Sequence, residues 1–204
     1  MKKNKELKGR TVVVGITGGI AAYKTCELVR SLAKEGADVH VILTEAARHF
    51  VTPLTLQTLS KNPVHCGMFE VLDCHSREGR DPQRNPDITN NLPHISLADR
   101  ADLIVIAPAC ANTIAKVAHG ICDDLLSTTI CATKARVVFA PSMNVNMWKN
   151  PITQENIAKL KKLGYSFIAP EEGELACGYK GVGRMADTEK ILSVIASEAK
   201  QSPR

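Results

Sequence analysis

The chain has 204 residues, of which 44% are hydrophobic and 23% are charged, and this balance is typical of one globular domain. Its formal net charge is only +5, and its basic residues cluster only near the start of the chain, so the composition suits an anionic small molecule better than nucleic acid. No apolar run is long enough to span a membrane, and seven cysteines without a C-x-x-C pair indicate a protein of the reducing cytoplasm.

The first half of the chain has the pattern of a strand–helix–strand unit. Its two strands are short apolar runs, and a glycine turn followed by an amphipathic helix separates them. That order predicts parallel strands joined by a right-handed crossover. The predicted elements are strands at 11–16 and 39–43, a helix at 20–34, and short helical segments at 46–50 and 53–59.

The apolar pattern fades after Cys66 and returns at Pro93. The polar, proline-rich stretch between them predicts a long loop. Beyond it, the predicted elements are strands at 103–107, 137–140 and 165–169, helices at 112–119, 124–132, 152–163 and from 187 onward, and a glycine-rich loop at 171–185. We therefore predict an α/β fold, a Rossmann-like or flavodoxin-like doubly wound parallel sheet, with residues 1–195 as one domain and 196–204 as a disordered tail.

The first glycine turn has features of two phosphate-binding motifs but matches neither. In GITGGIAAYKT, Tyr23 precedes Lys24 where a Walker loop requires glycine. Gly18 and Gly19 are adjacent, and no third glycine follows in the register of a dinucleotide fingerprint. What remains is a glycine turn at the start of a helix, where backbone N–H groups can bind a flavin phosphate or another anion. Close packing of helix on strand is the alternative explanation of these glycines.

A second small, polar turn at 108–113 follows the predicted strand at 103–107 in the same way. Its small residues allow a planar ring or a phosphate to approach the backbone. Asn112 and Thr113 can bind a ligand, although capping of the next helix explains Asn112 equally well. Because parallel strands end at the same edge of a sheet, we expect the two turns to lie close together.

The stretch ARVVFAPSMNVNMWKNP runs from a buried strand through a polar turn into a helix. Pro141 should end the strand because it lacks a backbone donor, and Asn150 and Pro151 should begin the helix. Between them, Asn144 and Asn146 supply neutral amides at the kind of strand end where α/β proteins bind ligands. Capping of the backbone by both amides is the alternative.

Two residues could transfer protons at such a site. His94 follows the predicted long loop, and an imidazole can act as a base near neutral pH, although a lone histidine is more often structural. Cys177 lies in EEGELACGYKGVGRM, a stretch with four glycines, which could cover a site as a lid and present a thiol as proton donor. An ordinary surface loop has the same composition.

Four stretches occur in a characteristic order: TGGIAAYK, PHISLADRADLIVIAPACANTIAK, PSMNVNMW and ACGYKGVGRM. Together they resemble the flavin-dependent cysteine decarboxylases, and the resemblance extends from Gly9 to Ile195. It is strongest to the members that decarboxylate 4′-phospho-N-pantothenoylcysteine in coenzyme A biosynthesis. The P-x-M-N-x-x-M-W and A-C-G-x-x-G-x-G-x-M signatures are highly specific. The resemblance implies a flavoprotein lyase that uses FMN.

The resemblance also implies the roles of individual residues. Asn144, Met147 and Cys177 bind substrate, and His94, Asn144 and Cys177 are catalytic, with no metal. The implied FMN-binding residues are Gly18, Gly19, Ile20, Thr44, Glu45, Ala46, Cys110, Ala111, Asn112, Thr113 and Ser142.

The implied reaction has three parts. His94 is the base that assists oxidation of the substrate's cysteine thiol by FMN to a thioaldehyde. The carboxylate, held by Asn144, leaves as CO2, and its electron pair is delocalised onto sulfur as an enethiolate. Cys177 protonates this intermediate while hydride returns from the reduced flavin, which gives 4′-phosphopantetheine. The family's FMN site lies between subunits, which implies a homotrimer or homododecamer, and a separate ligase is expected to supply the substrate.

The sequence departs from its relatives at three places, and other functions stay open. Cys110 and Ser142 stand where serine and alanine are common, and the loop at 74–91 is longer than usual. The main alternative is a peptidyl-cysteine decarboxylase of the lantibiotic type, which needs no proton-donating cysteine. A non-catalytic FMN-binding regulatory subunit is a further alternative. A flavin prenyltransferase is disfavoured because that branch lacks the P-x-M-N-x-x-M-W signature.

Overall fold

The structure is a computed structural model that describes residues 7–68, 92–174, 178 and 180–201. Most of the predicted long loop and Cys177 lie outside the described residues. None of the described helices is long and apolar enough to cross a lipid bilayer.

A parallel sheet of six strands forms the centre of the chain, in the spatial order β3-β2-β1-β4-β5-β6. The order reverses between β1 and β4, which is the position where doubly wound sheets bind their ligands. The predicted doubly wound parallel sheet is therefore confirmed. The strands are β1 (Thr11–Ile16), β2 (Asp38–Leu43), β3 (Val64–His65), β4 (Leu103–Ala109), β5 (Arg136–Pro141) and β6 (Ser166–Phe167).

Helices cover both faces of the sheet, and a separate antiparallel ribbon of two strands lies outside it. The helices are α1 (Ala22–Lys34), α2 (Pro53–Ser60), α3 (Pro93–Arg100), α4 (Ala111–His119), α5 (Leu125–Ala132), α6 (Val145–Lys149), α7 (Pro151–Lys162), α8 (Thr188–Gln201) and a short 3-10 helix η1 (Glu45–His49). The ribbon strands are β7 (Glu171–Glu174) and β8 (Lys180–Arg184).

The continuous apolar runs of the central strands follow from burial on both faces. Side chains alternate along β1, so Val12 and Val14 pack in one hydrophobic core while Val13 packs in the other. The first core lies against α1 and α8, and the second contains residues of α4, α5 and α7. All three valines have no exposed surface. The sheet therefore divides the domain into two cores.

Three helix starts show why the sequence folds as it does locally. Thr52 accepts a hydrogen bond from the Thr55 N–H, and Pro53 occupies the first turn of α2. Asp124 and Ser127 form a reciprocal capping box at the start of α5. Caps of this kind stabilise a helix by about 1 kcal/mol. By contrast, Ala21 caps α1 without a side-chain hydrogen bond.

The structure corrects the prediction in several places. Strand β3 and helix α3 were not predicted. The predicted glycine-rich loop at 171–185 contains the ribbon strands β7 and β8, because its alternate glycines allow close backbone pairing. Helix α6 was not predicted, and β5 includes Pro141 as its last residue. Strand β6 has two residues in place of the five predicted.

The C-terminal helix continues beyond the predicted domain boundary at 195. Helix α8 extends to Gln201, and Ala199 is buried. Glu198 accepts hydrogen bonds from Arg136 and Ser166, each at 2.8 Å. These contacts hold the last turns of α8 against the start of β5 and β6.

Candidate functional site

The turns predicted as ligand-binding follow β1, β2, β4 and β5, and these four strands are adjacent in the sheet. Because all of them are parallel, their carboxyl ends lie at one edge. The switch point between β1 and β4 is at the middle of this edge. The structure thus brings together the turns that are far apart in the chain.

Thr17 joins the turn after β1 to the turn after β4. Its hydroxyl donates a hydrogen bond to the Pro108 carbonyl at 2.6 Å and accepts one from the Cys110 N–H at 3.1 Å. Its side chain is buried, with 1% exposure. Thr25 adds a second link, from its hydroxyl to the Ala107 carbonyl at 2.8 Å. The sequence analysis did not identify Thr17, since its partners are more than 90 residues away.

The turn after β2 packs directly against the first glycine turn. A Cβ on Gly18 would lie 2.5 Å from the Cβ of Ala46, so only glycine allows this approach. The N–H and hydroxyl of Thr44 each donate to the Ile16 carbonyl at 3.1 Å. Gly19 has more space, because the nearest atom to an added Cβ is 4.0 Å away. We refer to the turns at 17–19, 44–46 and 108–113 as the cradle.

The cradle presents the amino ends of α1 and α4 without side-chain caps. Ala21 and Cys110 are the N-cap residues, and neither makes a capping hydrogen bond through its side chain. In α1, the N–H groups of Ala22 and Lys24 already donate to the carbonyls of Gly19 and Ala21. The first N–H groups of α4 are therefore the better candidates to bind an anion. Asn112 does not cap α4; instead, its side-chain oxygen accepts from the Cys110 thiol. The Cys110 sulfur also lies 3.3 Å from the Thr113 hydroxyl.

The loop after β5 holds Asn144 at the start of α6. Its side-chain oxygen accepts a hydrogen bond from the Asn146 N–H at 2.8 Å, so Asn144 does cap the backbone. The Ser142 N–H donates to the Ala109 carbonyl at 3.1 Å, which ties this loop to the end of β4. Met147 is 47% exposed. These contacts place residues 142–144, which we call the Asn144 loop, beside the cradle.

The ribbon packs on the Asn144 loop through a close backbone contact. The Met143 N–H donates to the Gly183 carbonyl at 3.0 Å. A Cβ on Gly183 would overlap the Met143 carbonyl oxygen, and one on Gly181 would lie 2.9 Å from a methyl group of Val145. Strand β8 can approach this loop only because both positions are glycine. The chain segment between β7 and β8 includes Cys177.

His94 lies at the amino end of α3, and its Nδ1 is buried without a hydrogen-bond partner among the described residues. Only two residues separate α3 from β4, so the carboxyl end of α3 lies near the start of β4. An unpaired buried polar atom costs about 1–3 kcal/mol. This atom is therefore a candidate to bind a ligand.

The structure brings most of the predicted site residues that it describes together at the carboxyl edge of the sheet, but the side chains of Glu45 and Ile20 are exposed to solvent. Glu45 is exposed and pairs with Arg48 at 2.9 Å, so its carboxylate is turned to solvent. Ile20 is 57% exposed at the rim. Among the described residues, no cluster of three or more potential metal ligands occurs. The residues joined at the sheet edge are Gly18, Gly19, Thr44, Ala46, Cys110, Ala111, Asn112, Thr113, Ser142 and Asn144.

A protein-family model, curated proteins and solved structures each match most of this chain. The Flavoprotein family model matches residues 1–200. The chain is 45% identical over 188 residues to the coenzyme A biosynthesis bifunctional protein CoaBC of Bacillus subtilis, covering 92% of this chain but 43% of that protein. The chain thus spans less than half the length of that relative.

Two further matches cover nearly the full length of both proteins. A probable phosphopantothenoylcysteine decarboxylase of Streptococcus mutans is 42% identical over 191 residues, covering 93% of this chain and 98% of that protein. The solved structure of the FMN binding protein AtHal3 has 31% identity and a TM-score of 0.76, covering 97% of this chain and 100% of that chain.

Proposed function

The chain belongs to the Flavoprotein family, and on that premise we propose that it is an FMN-dependent decarboxylase of 4′-phospho-N-pantothenoylcysteine in coenzyme A biosynthesis. The proposed products are 4′-phosphopantetheine and CO2. The Streptococcus mutans relative carries this activity in its name and matches nearly end to end. The observation that carries the assignment to a site is the unpaired, buried Nδ1 of His94.

The cradle fits FMN on chemical grounds. The amino end of α4, which has no side-chain cap, offers N–H groups to a phosphate. The open space beside Gly19 and the small side chains of Cys110 and Ala111 allow a flat ring near the backbone. FMN, when bound, supplies the two-electron oxidation of the substrate thiol and the later return of hydride.

His94 would take the proton of the substrate thiol as that thiol is oxidised. A general base for this step needs a pKa near the working pH and a nitrogen or oxygen atom that is free to accept the proton. The imidazole meets the second requirement, because its buried Nδ1 has no partner in the described part of the chain.

Asn144 would hold the substrate carboxylate with a neutral amide. A cationic partner would stabilise the carboxylate charge that must disappear when CO2 leaves, which would raise the barrier. Capping of α6 fixes the orientation of the Asn144 side chain in advance. Cys177 would return a proton to the carbon that has lost CO2, and the protein would exclude water from the reactive intermediate.

We further propose that the protein works as a homotrimer or homododecamer in the cytoplasm and receives its substrate from a separate ligase. Support for a subunit contact comes from apolar side chains at the rim of the site. Ile20 and Met147 are 57% and 47% exposed in the single chain, and a second subunit would cover them.

The test is mass spectrometry of the product after incubation of the FMN-loaded protein with 4′-phospho-N-pantothenoylcysteine. We expect loss of CO2 alone, which gives saturated 4′-phosphopantetheine. Loss of CO2 together with two hydrogens would mean release of an enethiol and would contradict the role of Cys177. An unchanged substrate, with decarboxylation of a peptide that ends in cysteine, would replace this proposal by the peptidyl-cysteine alternative.

A variant pair tests the assignment of His94. His94→Gln should lose turnover while it keeps FMN, since the amide cannot act as the base. His49→Gln changes an exposed histidine of η1 and should retain activity. Equal activity in the two variants would overturn the role of His94.

A further inference from the structure

Cys122 and Cys131 form a pair of exposed thiols away from the cradle. Cys122 lies in the connection between α4 and α5, and Cys131 lies in the last turn of α5. Cys131 is near enough to Cys122 to raise the pKa of the Cys122 thiol. The proposed decarboxylation uses neither of them.

The backbone fixes Cys122 along the side of α5. The Thr128 hydroxyl donates to the Cys122 carbonyl at 3.2 Å. The Cys122 sulfur lies 3.9 Å from the Ser127 carbonyl oxygen. Ser127 and Cys131 are four residues apart in a helix and share one face, and helical carbonyl groups point toward the carboxyl end. The Cys122 thiol is therefore directed along α5 toward Cys131.

The surroundings keep Cys122 protonated near neutral pH. The part of the Cys122 side chain that is shielded from solvent, the nearby Cys131 thiol and the carboxylates of Asp124 and Asp123 raise the pKa of the Cys122 thiol. Lys116 pairs with both carboxylates, at 2.7 Å and 2.8 Å, and so weakens the effect of their charges on the thiol. A protonated thiol is a slow nucleophile, and its reaction accelerates as the pH rises.

We propose that Cys122 and Cys131 are a dithiol that low-molecular-weight disulfides convert reversibly to an intramolecular disulfide. The thiolate of one cysteine attacks the small disulfide, forms a mixed disulfide and releases one small thiol. The second cysteine, one turn away along α5, then displaces the other small thiol. Two protein thiols lose two hydrogens, and one disulfide molecule is reduced to two thiols. The bond joins the α4–α5 connection to the end of α5.

A second thiol nearby on the same helix face distinguishes this pair from the other cysteines that the structure describes. In the described residues, Cys26 and Cys66 are partly buried, and Cys110 is engaged with Asn112 and Thr113. A thiol that meets a small disulfide without a neighbour stops at the mixed disulfide. An adjacent resolving cysteine completes the reaction.

The sequence makes this proposal simple to test. Trypsin cleaves after Lys116 and Lys134, so both cysteines fall in the single peptide 117–134. The reduced, FMN-loaded protein is incubated with oxidised glutathione, quenched with acid, alkylated and digested. We expect the peptide two hydrogens lighter and without alkylation, and we expect reduction with dithiothreitol before alkylation to restore two alkylated cysteines.

The matched variant is Cys131→Ser, which keeps the size of an exposed side chain. It should give a stable glutathione adduct at Cys122 in place of the disulfide, and Cys122→Ser should do the same at Cys131. In the unaltered protein, disulfide formation should accelerate about tenfold per pH unit below the pKa of the attacking thiol. Recovery of the wild-type peptide fully alkylated, or with glutathione on both cysteines, would overturn the proposal.

Discussion

The cradle and the Asn144 loop border the same site but are held in place differently. The cradle is tied into the sheet by buried hydrogen bonds of Thr17, which has 1% exposure. The Asn144 loop is partly exposed and depends on the ribbon, whose Gly183 meets Met143 through one backbone hydrogen bond. On the proposed function, we therefore expect substitutions in the cradle to change flavin binding and substitutions in the Asn144 loop to change turnover.

We expect Asn144→Asp to have the largest effect, and to reduce turnover without loss of bound flavin. Aspartate keeps the oxygen that accepts from the Asn146 N–H, so α6 should stay capped. Its negative charge repels the substrate carboxylate, and we expect turnover to fall at least about 100-fold, or roughly 2.7 kcal/mol. The measurement is kcat beside the flavin absorbance of the purified variant.

Asn146→Asp is the matched control for this change, because it places the same charge two residues away on an exposed side chain. It should retain most of the activity. Full activity in Asn144→Asp would remove Asn144 from the mechanism, and loss of flavin in that variant would contradict the separation of the two regions.

Thr17→Val tests the other side of the comparison. The substitution leaves the Pro108 carbonyl and the Cys110 N–H without their partner, and each buried unpaired group costs about 1–3 kcal/mol. We expect roughly 2 kcal/mol less stability toward urea, together with weaker FMN binding. Thr17→Ser restores the hydroxyl and should recover both. An unchanged flavin affinity in Thr17→Val would show that the cradle does not depend on this link.

Gly183→Ala tests how much the Asn144 loop depends on the ribbon. The added methyl group overlaps the Met143 carbonyl oxygen, so β8 must shift. We expect about a tenfold loss of kcat/KM, or roughly 1.4 kcal/mol, with FMN affinity retained.

The control for the ribbon is Gly173→Ala in β7. A Cβ there would lie 3.4 Å from the Arg184 side chain, an ordinary contact, so activity should be nearly unchanged. Similar losses in the two alanine variants would mean that general weakening of the ribbon, and not its contact with Met143, affects turnover.

The smallest effect concerns a cap that belongs to neither region. The cap is Asp124 at the start of α5. Burial raises the pKa of its carboxyl group, but hydrogen bonds from Lys116 and Ser127 outweigh burial and lower that pKa below its usual 3.8. Ionised Asp124 therefore stabilises the fold above that pH, and the contribution disappears as the pH falls through the lowered value. Asp124→Asn should cost about 0.5–1 kcal/mol at pH 7. Urea unfolding measures the difference in unfolding free energy between the wild type and this variant, and that difference should be smaller below pH 3 than at pH 7. A difference that does not change with pH would contradict the ionic contribution.

The sequence predicted the sheet well because the central strands carry strong local signals. Val12–Val14 and the fully buried β4 are continuous apolar runs, and such runs need no knowledge of distant residues to be recognised. The glycine turn after β1 and the small, polar turn after β4 were likewise visible in the sequence, and the parallel order placed them together.

The parts that were not predicted depend on contacts between distant residues. The role of Thr17 follows from the pairing of β1 with β4, which brings Pro108 beside it. The ribbon has a composition typical of a loop, and only its contact with the Asn144 loop explains Gly181 and Gly183. The roles of His94 and Asn144 came from family resemblance, and their assignment stays a prediction.

The alternation of side chains in β1 has a consequence for how the chain can evolve. The register of β1 determines which valine packs in which core: Val12 and Val14 in one, and Val13 in the other. The same register places the Thr17 hydroxyl beside the Pro108 carbonyl. One inserted or deleted residue here would exchange the two cores and also break the cradle. Changes in length should therefore be eliminated by selection between Thr11 and Thr17, even where changes in residue type are tolerated.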